Sequence, residues 1–125
     1  MLFLYKYIHM KGRFYFDEEA QILWDVVSNT KIYEGGKFTN VAFHRAGERL
    51  LRYLEEIRKC EQRLSYYRAK FEDPSVGPRE MKHAVDIERN YVAYLALLEK
   101  ARQLALGQLD RVTMLENTDA LDADA

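Results

Sequence analysis

Apolar side chains recur at alternating steps of three and four residues between Phe43 and Phe71. This spacing keeps one narrow stripe of a helix facing a partner helix over about eight turns, as a coiled coil requires. We call this stripe the seam. In this stretch it consists of Phe43, Ala46, Leu50, Tyr53, Ile57, Cys60, Leu64, Tyr67 and Phe71.

A second long helix is predicted from about 79 to 115. It follows a turn with two prolines, of which Pro74 ends the first helix and Pro78 can occupy the first turn of the next. Two long helices joined by a short turn predict an antiparallel hairpin, with each arm ~45 Å long at about 1.5 Å per residue. The three-four spacing returns in this helix at Ala84, Ile87, Tyr91, Tyr94, Leu98, Ala101 and Ala105.

Apolar residues also occur outside the seam, and a helical hairpin commonly buries such residues in a second copy. The sequence therefore predicts a homodimer or higher homo-oligomer, with a four-helix bundle as the natural arrangement. The residues expected to mediate oligomerisation are Leu50, Tyr53, Ile57, Leu64, Tyr91 and Leu98.

The N-terminal segment 2–16 is rich in aromatic and branched residues, which favour extended structure. It fits either one long strand or a hairpin that turns near residues 9–12. In a strand that includes 11–16, Lys11, Arg13 and Tyr15 share one face, while Phe14 and Phe16 share the other.

A short helix is predicted over residues 17–29. Asp17 is a suitable N-cap, two glutamates follow it in the first turn, and apolar residues recur at helical spacing up to Val27. A loop over 30–38 then leads to Thr39 and Asn40, either of which can cap the long helix. The predicted fold is therefore mainly α, with a short β element and a short helix in 1–38, the long hairpin in 39–116, and an acidic, disordered tail in 117–125.

Charge is distributed unevenly along a chain whose formal net charge is -1. Residues 1–71 contain 13 basic against 9 acidic side chains, and residues 72–125 contain 6 against 11. The cations of the first long helix follow one side of its seam and form what we call the basic edge. This edge suits either a phosphate backbone or ion pairs across the hairpin with Glu80, Asp86, Glu88 and Glu99. It consists of Arg45, Arg49, Arg52, Lys59, Arg63 and Lys70, interrupted by Glu56 and Tyr66.

The predicted order of strand, helix and helix from Lys11 to about Ile57 resembles the ribbon-helix-helix family of DNA-binding regulators, some of which append a helical oligomerisation region. The resemblance implies that two chains pair their strands into a ribbon that enters the major groove. It implies that Lys11, Arg13 and Tyr15 face the bases, and that Thr39 and Asn40 present a helix N-terminus to a phosphate. The loop at 30–38 is longer than that family usually has.

Candidate chemistry is sparse. Glu80 and His83 have the Glu-x-x-His spacing of di-iron bundles, but the second copy that such a site requires is missing from the sequence. Cys60, the single cysteine, lies on the predicted seam, and its lack of a disulfide partner favours a reducing, cytoplasmic setting. The segment 1–10 is too short and too polar for a membrane span. We expect no metal, no cofactor and no membrane association.

The sequence therefore predicts a non-enzymatic, homo-oligomeric protein that binds nucleic acid, with DNA favoured and RNA not excluded. The residues expected to contact the nucleic acid are Lys11, Arg13, Tyr15, Thr39, Asn40, Arg45, Arg49, Arg52, Lys59 and Arg63. The alternative is a helical hairpin that binds another protein, as an adaptor, scaffold, chaperone or inhibitor.

Overall fold

The computed structural model describes the backbone of residues 12–124 and the side chains of residues 12–114. Four short strands come first, then a single 3₁₀ turn at Val41–Phe43 and two long helices. The elements are β1 (Phe14–Asp17), β2 (Ile22–Asp25), β3 (Thr30–Glu34), β4 (Lys37–Phe38), α1 (His44–Phe71) and α2 (Pro78–Asp124). Neither helix contains, within residues 12–124, a stretch long and apolar enough to cross a membrane.

The described chain divides into two compact units. Unit 1 contains residues 12–48 and 106–124, and unit 2 is the contiguous segment Arg49–Ala105. Unit 1 therefore holds the sheet, the first residues of α1 and the last part of α2. Unit 2 holds most of α1, the turn and the first part of α2.

The prediction of a helix over 17–29 is wrong, because this segment forms part of an antiparallel sheet with the order β1-β2-β3-β4. Asp17 closes the turn between β1 and β2, where its Oδ1 accepts a hydrogen bond from the Ala20 N–H at 3.2 Å. The apolar run that begins at Ile22 is compatible with either helix or strand. Pairing decides between them, since Tyr15 lies opposite Trp24 and Phe16 opposite Leu23.

The segment 30–38 is a β-hairpin rather than a loop. Gly35 and Gly36 have φ values of 63° and 81°, which is the left-handed conformation that a two-residue hairpin turn between β3 and β4 requires. Asn40 then caps the 3₁₀ turn, where its Oδ1 accepts a hydrogen bond from the Ala42 N–H at 2.9 Å. Thr39 and Asn40 were the candidate caps of the long helix, and Asn40 caps the 3₁₀ turn that leads into α1 rather than α1 itself.

The core of unit 1 combines sheet and helix residues. Its buried apolar side chains are Phe14, Tyr15, Leu23, Ile32, Ala46 and Leu109. Gly47 is also buried, and a Cβ atom built on it would overlap the ring of Phe38. That ring lies 4.8 Å from the ring of Tyr33 and 5.5 Å from the ring of His44, measured between centroids. The start of α1 therefore packs against the sheet at a position where only glycine leaves room.

The helical hairpin of unit 2 is confirmed, and its seam is buried as the spacing predicts. Ile57, Cys60 and Leu64 of α1 form one cluster with Leu98 of α2, and Tyr53, Tyr91 and Leu95 pack against this cluster. The Cys60 Sγ donates to the Tyr91 carbonyl oxygen at 3.4 Å. The two helices of the hairpin are therefore held together by the alternating apolar positions of both.

Two details of α2 differ from expectation. Tyr94 was expected on the seam, but its side chain is 43% exposed. The helix also continues to Asp124, through the segment 117–124 for which a disordered tail was predicted.

Candidate interaction surface

The strand residues expected to contact bases are engaged within unit 1. Arg13 Nε donates to both carboxylate oxygens of Asp25 at 2.9 Å, and Arg13 Nη2 lies 2.8 Å from Asp25 Oδ2. Tyr15 is buried in the core, with 5% of its surface exposed. Lys11 lies outside the described residues. Tyr15 is therefore hidden from solvent, and the Arg13 side chain, which is 20% exposed, is paired with Asp25.

The Arg13–Asp25 pair is a structural feature of the sheet. Burial by itself raises the pKa of the Asp25 carboxyl, but the hydrogen bonds from Arg13 and from the Ser28 backbone lower it below its usual range. The backbone N–H groups of Val27 and Ser28 donate to Asp25 Oδ1 at 3.1 and 3.3 Å, so the carboxylate also shapes the turn between β2 and β3.

Thr39 and Asn40, expected to present a helix N-terminus to a phosphate, make local hydrogen bonds. The Thr39 N–H donates to the Ile32 carbonyl oxygen at 3.0 Å, which ties the end of β4 to β3. The Asn40 side chain caps the 3₁₀ turn. Both residues fix the path of the chain from the sheet into α1.

The basic edge is partly engaged across the hairpin. Arg63 Nη1 donates to the Tyr91 hydroxyl at 2.8 Å, and Lys70 Nζ lies 3.0 Å from Glu80 Oε1. The predicted ion pair with Glu80 is thus present, whereas Glu99 pairs with Arg102 of its own helix at 2.7 Å.

Farther from the turn, three cations of the basic edge, Arg45, Arg52 and Lys59, are exposed to solvent. Lys59 lies 3.9 and 4.0 Å from Glu55 and Glu56 of its own helix. The residues expected to mediate oligomerisation lie in the core of a single chain: Leu50, Ile57, Leu64 and Leu98 are buried, and Tyr53 and Tyr91 are half-buried.

Contacts across the hairpin define its two edges. Arg63–Tyr91 and Lys70–Glu80 lie on the basic edge, and Arg68–Glu88, with 3.2 Å between Arg68 Nη2 and Glu88 Oε1, lies on the opposite edge. Successive residues of an α-helix are rotated by about 100° around the helix axis. Three residues therefore fall about 60° short of a full turn, and each three-residue step shifts the side-chain direction backwards around the axis by that angle. Side chains at steps of three residues therefore move around α2 from the opposite edge, at Glu88, to the basic edge, at Tyr91. Tyr94 and Leu97 continue in the same direction and lie beyond the basic edge.

An exposed apolar strip on α2 follows from this geometry. We define it as Tyr94, Leu97, Ala101 and Leu104, which recur at steps of three and four residues. The exposed fractions are 43% for Tyr94, 63% for Leu97 and 72% for Leu104. Antiparallel helices have the same rise per residue, so the Arg63–Tyr91 contact places Lys59 about level with Tyr94, and Arg52 about level with Ala101. One face of unit 2 thus carries cations from α1 beside apolar side chains from α2.

The sequence carries a signal for this strip that overlaps with the signal for the seam. The spacing 94, 97, 101 and 104 runs parallel to the seam positions 91, 98 and 105, and Tyr94 and Ala101 fit either series. A helix with two adjacent apolar stripes buries only one of them against a single partner helix. Leu97 and Leu104, which fit the second series alone, distinguish it.

Two observations concern metal binding and thiol reactivity in the described part of the chain. Residues 12–114 contain no group of three or more histidine, cysteine or acidic side chains placed to hold a metal ion. The Cys60 thiol is buried in the hairpin, and burial raises its pKa above the ordinary value, which disfavours the reactive thiolate. Comparison with family models, with curated proteins and with solved structures finds no match to this chain.

Proposed function

We propose that this protein is a non-enzymatic protein-interaction module whose helical hairpin docks a partner on the face formed by the apolar strip and the basic edge. The observation that carries the proposal is the exposure of Tyr94, Leu97 and Leu104 along one stripe of α2. Single exposed apolar residues are ordinary, but a continuous stripe beside charged residues is typical of an interaction site. The sheet of unit 1, with its internal Arg13–Asp25 pair, has a structural role in this proposal.

The experiment is a selection of displayed random peptides on the immobilised full-length chain. A variant with Leu97→Gln and Leu104→Gln serves as the counter-target. Both side chains are mostly exposed, so this variant should melt within about 0.5 kcal/mol of the wild type in free energy of unfolding. Peptides that bind the wild type and not the variant support the proposal. A selection that yields no binder dependent on these two leucines refutes it.

Val92→Gln provides a matched control for this selection. Val92 is on the same helix and is 42% exposed, close to the value for Tyr94, but it lies away from the strip. Its substitution removes a similar exposed apolar group and should leave the binding of every selected peptide unchanged. Loss of binding in both variants would indicate a general effect on α2.

A second candidate function is nucleic-acid binding along the basic edge, and the exposed Arg52 and Lys59 favour it. Such binding depends steeply on salt, because each neutralised phosphate releases counterions. Retention of random duplex DNA over a salt series measures this slope. Replacing Arg52 and Lys59 with Glu should reduce the slope by about two if both contact phosphates. Absence of retention at low salt excludes this candidate.

A further inference from the structure

We propose that the partner segment docked on the apolar strip is an acidic amphipathic helix of about three turns. This inference rests on the proposed function and adds the chemistry of the partner to it. The strip extends over eleven residues from Tyr94 to Leu104, and the ten steps between them correspond to about 15 Å of helix. A partner helix presents apolar anchors at steps of three and four residues over the same length, so a helix of about three turns matches the strip.

Cations border the strip on both sides. On the α1 side, Arg52 and Lys59 are exposed at the levels of Ala101 and Tyr94. On the side of the strip away from α1, Lys100 follows Leu97 by three residues. Its side chain is rotated around α2 by about a further 60° beyond that of Leu97, in the same direction as the step from Tyr94 to Leu97. Arg89 lies eleven residues before Lys100 on the same side of α2, and both are exposed. A docked helix would therefore meet positive charge along both of its flanks.

The carboxylates near this face do not reverse its charge. Glu56 lies on the basic edge between Arg52 and Lys59, 4.0 Å from the Lys59 ammonium. Glu55 lies 3.9 Å from the same ammonium but is paired more closely with Arg58, at 2.8 Å. Glu99, on the outer side of α2, is paired with Arg102 at 2.7 Å. Asp86 is exposed eight residues before Tyr94, toward the turn and about 12 Å from the strip along the helix. The face that borders the strip keeps a positive surplus.

This charge distribution favours an acidic helix over a second copy of the chain. Two copies that met through the same strip would bring the positive borders of both into proximity, and like charges across an interface oppose association. Acidic side chains on the flanks of a docked helix meet Arg52, Lys59 and Lys100 instead. Charge complementarity then adds to the burial of Leu97 and Leu104 and fixes the orientation of the helix.

The test uses two synthetic 15-residue peptides and the full-length chain. The first peptide has Leu at positions 2, 5, 9 and 12, Glu at the positions that flank these leucines, and Ala elsewhere. The second is identical except that each Glu is replaced by Lys. Fluorescence anisotropy of labelled peptides measures their dissociation constants at low and at physiological salt. We expect the Glu peptide to bind at least about tenfold more tightly than the Lys peptide at low salt, with a smaller difference at higher salt.

Variants of the chain locate the binding. Leu97→Gln with Leu104→Gln should weaken the Glu peptide by about tenfold or more, because two apolar anchors lose their contacts. Arg52→Glu with Lys59→Glu should weaken the Glu peptide and strengthen the Lys peptide. Arg79→Glu is the matched charge control, since Arg79 is exposed about 22 Å from Tyr94 along α2, and it should change neither constant appreciably.

Equal binding of the two peptides, or binding that Leu97→Gln with Leu104→Gln leaves unchanged, would overturn the inference. Sedimentation equilibrium adds an independent measurement: a stable dimer that Leu97→Gln with Leu104→Gln dissociates would identify a second copy as the occupant and would also overturn it. Strip-dependent peptides that are not acidic helices, recovered in the displayed selection, would refute this inference while leaving the proposed interaction function intact.

Discussion

Replacement of Gly47 by alanine tests how closely α1 packs against the sheet. In an unconstrained helix, glycine to alanine stabilises by roughly 0.5–1 kcal/mol, because glycine loses more backbone entropy on folding. At Gly47 the new Cβ would overlap the Phe38 ring, and that ring is held between Tyr33 and His44. Displacing a packed ring typically costs about 1–3 kcal/mol. We expect Gly47→Ala to destabilise unit 1 by about 0–2.5 kcal/mol.

Gly107→Ala is the internal reference for this prediction. Gly107 also lies in a helix, and a Cβ atom built on it would have no neighbouring atom within 4 Å. It should therefore show the helix-propensity gain alone, about 0.5–1 kcal/mol of added stability. The two substitutions are chemically identical and are expected to differ by about 1–3 kcal/mol because of the Phe38 contact.

The assay is urea unfolding followed by the fluorescence of Trp24. This is the only tryptophan of the chain, and it lies in β2 within unit 1. Midpoints are compared at constant slope, since a changed slope would indicate a different denatured or native state. Gly47→Ala in a Phe38→Leu background completes a double-mutant cycle, and there the alanine should be less destabilising than in the wild type.

The reasoning would be refuted if Gly47→Ala stabilised the protein as much as Gly107→Ala does. That result would mean that the Phe38 ring moves aside without loss of packing. Equal effects of Gly47→Ala in the wild-type and Phe38→Leu backgrounds would show instead that some other contact opposes the alanine.

Three further predictions concern polar and thiol groups. Asp25→Asn should lower the free energy of unfolding by about 1–3 kcal/mol, because the charged hydrogen bonds to Arg13 are lost. Glu34→Gln, at an exposed ion pair, should lower it by no more than about 0.5 kcal/mol. Chemical denaturation of both variants measures the difference. The pKa of Asp25 is lowered in the folded state. Its contribution to stability is therefore fully present above the pKa of the unfolded state, about 3.9, and is lost as the pH falls through the pKa of the folded state. Acid titration should consequently show a shallower loss of stability in Asp25→Asn than in the wild type. The buried Cys60 thiol should react with Ellman's reagent only as fast as the hairpin opens, and rapid labelling of the native protein would contradict its burial.

The hairpin was predictable from sequence, because its signal is periodic and long. The seam in α1 extends over many turns without interruption, and the two prolines mark the turn. Leu50, Ile57 and Leu64 are buried where this period places them. Local spacing suffices here since each seam residue meets a partner helix whose own spacing is the same.

The sheet was less predictable, because strands of four or five residues carry little period of their own. Ala20, Leu23 and Val27 match helical spacing, and the pairing of Phe14 with Asp25 that overrides this spacing depends on residues eleven positions apart. Asp25 illustrates the limit further. Nothing in its neighbourhood in the sequence indicates that it is buried and paired with Arg13.

The apolar strip was hidden for a different reason. Sequence spacing shows which residues share a stripe of a helix, but it does not show how many stripes the chain itself covers. Burial in the hairpin separates Leu98, which is covered, from Leu97, which is not. The strip could therefore be recognised only once the partner helix of the seam was known.

The discontinuity of unit 1 has a consequence for the synthesis of the protein. Its strands leave the ribosome first, but the buried Leu109 and Thr113 belong to the same unit and emerge only after the whole of Arg49–Ala105. At roughly 5–20 residues per second, that segment takes about 3 to 11 s to synthesise. During this interval the nascent sheet lacks part of its core, whereas the contiguous hairpin has all of its residues by the time Ala105 emerges. The hairpin is therefore the part that can complete its folding first, and the sheet is the part that depends on protection from premature association while translation continues.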